Sequence, residues 1–243
     1  MAFFHVENNW GRVMFRAQTV EMLRFLKRRM TYSRMADLFD LPATVLSRYI
    51  QGHVLPNFER ARELYGRARR VLHDLVVEMV RPGGNGFFDI TPLLSEKVPR
   101  QVFAAWVADR LVGTRVDRIL TAAVDGVPLA VSLSDLLDVP VAIAKKEREA
   151  GVAEFWTATV EWPSGRVETL WLPRHSLRRR EWVVVVDDLV RTGETLRTLA
   201  RLVERVGARL VGAFALVGVR PHWRRVAEEL GAPLRVFVEV SAR

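Results

Sequence analysis

Apolar residues recur at three- and four-residue spacing through the first third of the chain, then give way to short β-branched runs. Val20, Leu23, Leu26 and Met30 fall on one face of a helix, as do Leu64, Ala68, Val71, Leu75 and Met79 within 59–80. The second helix is long enough to serve as a stalk or a dimer seam. Between the two, Thr31 or Ser33 can cap a short helix ending at Phe39. Asp40-Leu41-Pro42 reads as a tight turn, and 43–51 as a further short helix stopped at Gly52. Two short helices joined in this way predict a helix-turn-helix unit.

Arg81-Pro82-Gly83-Gly84-Asn85-Gly86 breaks the pattern and predicts an irregular connection. Beyond it, strands at 118–122, 139–144, 182–186, 210–217 and 234–240 alternate with helices at 99–111, 128–137, 195–206 and 222–230. That alternation predicts an α/β fold with a wound, mostly parallel sheet. Residues 156–160 and 167–172 interrupt it as a hairpin around Pro163-Ser164-Gly165. The expected division is an all-α domain over 1–80, a linker over 81–91 and an α/β domain over 92–243.

Composition narrows the function. With no cysteine, a disulfide framework, a thiolate zinc site, an iron–sulfur cluster and a cysteine nucleophile are excluded. Apolar residues make up 49%, enough for a sizeable core. The opening MAFFHVENNW lacks the pattern of a signal peptide, and no apolar run of about 18 residues is present to span a membrane. A soluble cytoplasmic protein is expected. The net charge is +9, and basic side chains outnumber acidic ones most densely in the first 80 residues, which points to anionic partners. The five histidines show no paired metal spacing. Arg178-Arg179-Arg180 reads as a solvated lead into a strand, and the tryptophans as core or interface, with cover over a base as the alternative for Trp156 and Trp162.

Val45-Leu46-Ser47-Arg48-Tyr49-Ile50-Gln51-Gly52, followed by Leu55-Pro56-Asn57, resembles the phage-repressor-like class of helix-turn-helix domains. In that class the second helix enters the major groove of double-stranded DNA. The resemblance implies that Ala43, Thr44, Ser47, Arg48 and Gln51 face DNA while Leu46 and Ile50 pack inward. Arg34, with Arg24, Lys27, Arg28 and Arg29, would meet phosphates. The alternative is a helical unit used for dimerisation.

The stretch from Trp182 through four valines, Asp187-Asp188 and Arg191-Thr192-Gly193-Glu194-Thr195 joins a buried strand to a helix whose N-terminus can cradle an anion. Hydroxyls of Thr192 and Thr195 add donors, Gly193 permits close approach, and two carboxylates suit ribose hydroxyls or a divalent cation. This is similar to the phosphoribosyl pyrophosphate (PRPP) motif of type I phosphoribosyltransferases, with Arg191 and Glu194 where small residues are usual. Phe87-Phe88-Asp89-Ile90-Thr91-Pro92-Leu93-Leu94 looks like the opening of adenine phosphoribosyltransferases. Asp125-Gly126 occupies the pyrophosphate loop, and Lys146 a basic position after the next strand.

Gly126-Val127-Pro128-Leu129-Ala130, the 164–177 stretch and Arg191 resemble the effector domain of the purine operon repressor family, a non-enzymatic branch of this fold. That family carries a different, winged helix at its N-terminus. The resemblance implies a type I phosphoribosyltransferase-like sheet with an N-terminal all-α helix-turn-helix domain. It also implies a homodimeric regulator that senses PRPP or a purine nucleotide, with Mg²⁺ carried by the ligand and touched by Asp187 and Asp188. Asp125 stands where enzymes tend to place a basic residue facing pyrophosphate, which favours binding without turnover. The alternative is an active purine phosphoribosyltransferase.

Overall fold

Asn8 starts the first helix: its Oδ1 accepts the Gly11 N–H at 2.7 Å, and α1 (Asn9–Lys27) follows. Thr31 caps α2 (Tyr32–Phe39) by accepting the Arg34 N–H at 3.3 Å. Asp40 ends α2 in the left-handed region with φ 51°. Pro42 then leads into α3 (Ala43–Ile50). Asn57 caps α4 (Phe58–Met79), accepting the Arg60 N–H at 2.8 Å. Such caps satisfy the donors a helix start leaves free. In this computed structural model, residues 8–84, 87–162 and 165–241 are described. The expected features at the extreme N-terminus, His5, Asn85-Gly86 and the hairpin tip Pro163-Ser164 lie outside them.

The apolar face of the long helix is packed within the chain and does not stand free as a stalk. Leu64, Ala68, Leu72 and Val76 of α4 are buried in the same core as Leu23 and Leu26 of α1 and Val102 and Phe103 further on. Burying that stripe against its own chain removes it from water at no association cost. The expected irregular connection is also corrected. β1 (Arg81–Gly84) and β2 (Phe87–Asp89) pair antiparallel, with Arg81 opposite Asp89 and Pro82 opposite Phe88. Proline is tolerated there because a two-stranded ribbon has only edge strands.

The α/β part continues with α5 (Thr91–Ser95), α6 (Lys97–Arg110), β3 (Arg118–Ala122), α7 (Val127–Leu137) and β4 (Val141–Ala144). The hairpin β5 (Phe155–Glu161) and β6 (Val167–Pro173) comes next, then β7 (Trp182–Val190), α8 (Glu194–Val206), β8 (Arg209–Arg220), α9 (His222–Glu229) and β9 (Leu234–Ser241). Five strands form one sheet in the order β4-β3-β7-β8-β9, every pair parallel.

The valine run of β7 divides its side chains by the two-residue period of a strand. Val184 and Val186 join the core that holds α1, α4, α6 and α7, whereas Val183 and Val185 join the one under α8, α9 and the hairpin. Trp156 and Trp162 are half-buried and pack against this second core. Both faces are covered, as a parallel sheet requires. The chain winds outward from β3 to β4 and, in the other direction, from β7 to β8 and β9. The C-terminal ends of β3 and β7 therefore flank a topological switch point, where open α/β sheets bind ligands.

Candidate functional site

Two loops meet at that switch point. The loop after β7 carries Arg191 and Thr192 into Gly193, which precedes α8 with φ 84° and no side-chain cap. The first helical bond runs from the Arg197 N–H to the Gly193 carbonyl at 3.0 Å. The N–H groups of Glu194, Thr195 and Leu196 thus precede it without intrahelical acceptors, and the dipole of a 13-residue helix stands behind them. Glycine is required at 193 for two reasons. The backbone is left-handed, and a Cβ would collide with Cγ2 of Val226 on α9.

Arg197 holds the loop in shape. Its Nη1 donates to the Thr192 carbonyl at 2.9 Å and to Glu194 Oε1 at 2.8 Å, and Nε donates to Glu229 at 2.7 Å. Glu194 is therefore committed to an internal ion pair. Arg197 was not among the expected site residues; no spacing signal distinguishes it from the other arginines of α8.

The acids sit at the end of β7. Asp187 is buried and its Oδ1 accepts the Asp188 N–H at 3.1 Å. Burial, and then the neighbouring Asp188 charge, push the Asp187 carboxyl well above the usual range. Asp188 is raised too, first by burial, with Asp125 contributing. Asp125 lies across the cleft on the exposed loop after β3, so three carboxylates share one electrostatic environment. Gly126 beside it is buried, and a Cβ there would collide with Thr121 Oγ1. A cavity of about 430 Å³ opens here between Phe88, Thr91, Asp125, Pro128 and Asp188.

Two expected residues are otherwise engaged. The Arg191 guanidinium packs on the ring of Phe87, and the exposed Lys146 pairs with Glu168 of β6 at 3.3 Å. Phe87, Phe88 and Thr91 belong to the stretch already noted for its family likeness, which was the signal that could have placed them here.

On the all-α unit, α2 and α3 are joined by a short turn. Leu46 is fully buried and Ile50 packs against the same core. Arg34, Ala43, Thr44, Arg48 and Gln51 are exposed and Ser47 is half-buried. The Arg24 Nε donates to the Ile50 carbonyl at 2.6 Å, fixing the end of α3 to α1. Lys27 lies over the Tyr32 ring at 4.8 Å. Arg28 and Arg29, also expected at phosphates, are exposed, and both pair with Glu96, tying the end of α1 to the segment before α6.

The phosphoribosyl transferase domain model matches residues 101–236, which contain β3, β4, β7, β8 and the start of β9, with both loops and the acids. The chain belongs to this family. It is 30% identical over 158 residues to the purine biosynthesis transcriptional repressor PurR of Bacillus subtilis, covering 63% of this chain and 53% of that one. It is 33% identical over 162 residues to a hypoxanthine/guanine phosphoribosyltransferase of Methanopyrus kandleri, covering 67% and 81%. An adenine phosphoribosyltransferase from Thermoanaerobacter pseudethanolicus shares the fold, with a TM-score of 0.62 at 23% identity over 69% of this chain and 99% of that one. The chain spans about half the length of the PurR regulator it matches. No helix among the described residues is long and apolar enough to cross a membrane.

Proposed function

We propose that this chain is a DNA-binding transcription regulator of purine metabolism, whose phosphoribosyltransferase domain binds PRPP or a purine nucleotide without turning it over. One observation carries this: an exposed polar face on α3 stands on a helical unit that shares its hydrophobic core with the sheet bearing the anion cradle. Ligand at the cradle and DNA at α3 can then be coupled through one body, each biasing the other. The match to PurR agrees with it.

In this reading Asp187, Asp188, Thr192, Gly193 and Thr195 hold the ligand, with Asp125 and Gly126 opposite and Arg191 free to leave Phe87 for the phosphates. The helix start receives a phosphate, and the acids receive ribose hydroxyls. Among the described residues no group of three or more His, Asp or Glu side chains is placed to hold a metal ion. Mg²⁺ fits this cleft as a companion of the ligand's phosphates, touched by Asp187 and Asp188. Asp125 repels pyrophosphate that lacks such a cation, which disfavours the charge build-up of group transfer. The protein works as a homodimer, since helix-turn-helix readers pair two half-sites.

The cradle also favours a second reading, an active purine phosphoribosyltransferase. Calorimetric titration with PRPP and Mg²⁺, alongside product analysis with adenine, hypoxanthine, guanine and xanthine, separates the two. Stoichiometric binding without nucleotide supports the regulator; turnover at ordinary enzyme rates overturns it. Selection of bound genomic DNA with and without PRPP then tests the coupling.

A further inference from the structure

We propose that the cavity between α4, α6 and β9 is a second binding site, taking a small aromatic anion of the nucleoside monophosphate kind. The cavity measures about 510 Å³, and its lining includes Gly66, Arg69, Arg70, Asp74, Trp106 and Phe237. That size is ordinary for a small-molecule site, about 300–1,000 Å³. None of these residues belongs to the cleft at Asp187 and Gly193.

Its floor is aromatic. The rings of Trp106 and Phe237 meet edge to face at 5.2 Å, and His73 meets Phe237 at 5.0 Å. Arg69 and Arg70 in its lining stand beside Asp74, and further cations lie next to the cavity. The Arg110 guanidinium lies 4.0 Å over the Trp106 ring, and its pKa is lowered first by burial and then by Arg235 and Arg69, so these three cations share one field. Arg69 is paired with Asp109 at 2.6 Å, and His73 with Asp74 at 3.5 Å. Arg70 and Arg235 have no ion-pair partner among the described residues. Arg69 and Arg70 in the lining, with Arg110 and Arg235 next to it, thus outnumber Asp74 in the lining and Asp109 beside it. That surplus matches a phosphate monoester, which carries about −1.5 to −2 near neutral pH. Arginine forks suit its oxygens, and aromatic surface suits a planar base.

Gly66 points the same way. A glycine inside a helix disfavours that helix, yet a Cβ at this position would meet nothing within 4 Å. No close approach among the described residues demands it, and its effect is to keep the cavity wall open. The site joins α4, which carries the helix-turn-helix, to α6 and β9 of the sheet, so an occupant would bridge the two.

The test is isothermal titration of the full chain with AMP, adenosine and inorganic phosphate as probes. AMP is expected to bind at least ten-fold more tightly than either component. Gly66→Leu, which fills the cavity, and Arg70→Glu, an exposed substitution, are each expected to weaken AMP at least ten-fold. Thr195→Ala in the other cleft is expected to leave AMP binding at this site in place. Should Gly66→Leu fail to fold, Arg70→Glu decides. The proposal is overturned if AMP does not bind at concentrations on the order of 10 mM, if neither variant weakens it, or if Thr195→Ala abolishes it. It is equally overturned if Arg70→Glu weakens only duplex DNA. PRPP titrated into Gly66→Leu reports on the first cleft separately, so failure there sinks the regulator reading and not this one.

Discussion

The guanidinium of Arg191 lies 4.4 Å from the centroid of the Phe87 ring. This contact joins the loop between β7 and α8 to the ribbon that directly follows α4. Phe87 is 55% exposed, so the pair contributes at most about 1 kcal/mol to stability. Phe87→Ala is expected to shift urea unfolding by no more than that. Arg191→Ala is expected to weaken PRPP roughly ten-fold, about 1.4 kcal/mol, and Phe87→Ala far less. Equal losses in titration would assign Arg191 to holding the ribbon rather than the ligand.

Gly193→Ala meets both a left-handed backbone and the side chain of Val226. The backbone and the overpacking each cost about 1–3 kcal/mol. Adding Val226→Ala relieves the collision but leaves the backbone strain. Chemical denaturation of the single and double variants should therefore show partial, not complete, recovery. Complete recovery would mean that the positive φ is not required.

Asp187 makes stability depend on pH. Its folded pKa is raised, chiefly by burial, above the unfolded value of about 3.9. Without ligand, its contribution is fully present below about pH 4 and is lost as pH rises through the folded value. Asp187→Asn removes that loss, so the variant should gain stability relative to wild type as pH increases towards neutrality. It should also bind PRPP more weakly. Parallel unfolding midpoints from about pH 4 to pH 8 for the two proteins would contradict the assignment.

Arg48 is exposed on α3, away from the core that Leu46 enters. Arg48→Ala is expected to weaken specific duplex binding by about 1–3 kcal/mol and to leave PRPP binding unchanged. Gel-shift titrations at several matched salt concentrations measure both the loss and the electrostatic slope. Binding equal to wild type at every salt would remove α3 from the interface.

Periodicity located the elements well because burial imposes it. Strand β3 holds the run Ile119-Leu120-Thr121-Ala122, and α2 starts after Thr31 because a hydroxyl there satisfies a free N–H. The cradle was legible for the same reason: a left-handed glycine, two threonines and two acids are local requirements of one strand–loop–helix turn. Arg197 and Phe87 were harder to assign because their roles arise from residues on other elements. The pairing of Arg28 and Arg29 with Glu96 spans 67 or more positions, and no local pattern encodes it.

The sequence by itself determined the α/β class, the all-α start, the absence of thiol chemistry and the strand–loop–helix turn at Asp187–Thr195. These depend on interactions within a few positions or on composition alone. Only the tertiary structure decided that α4 folds onto α1 and α6 instead of standing free, that Pro82 sits in a paired ribbon, and that Asp125 adds its field to Asp187 and Asp188. It also built a cationic, aromatic cavity from α4, α6 and β9. Those outcomes depend on which apolar faces find each other, and hydrophobic burial is non-directional: it requires a partner face without naming one.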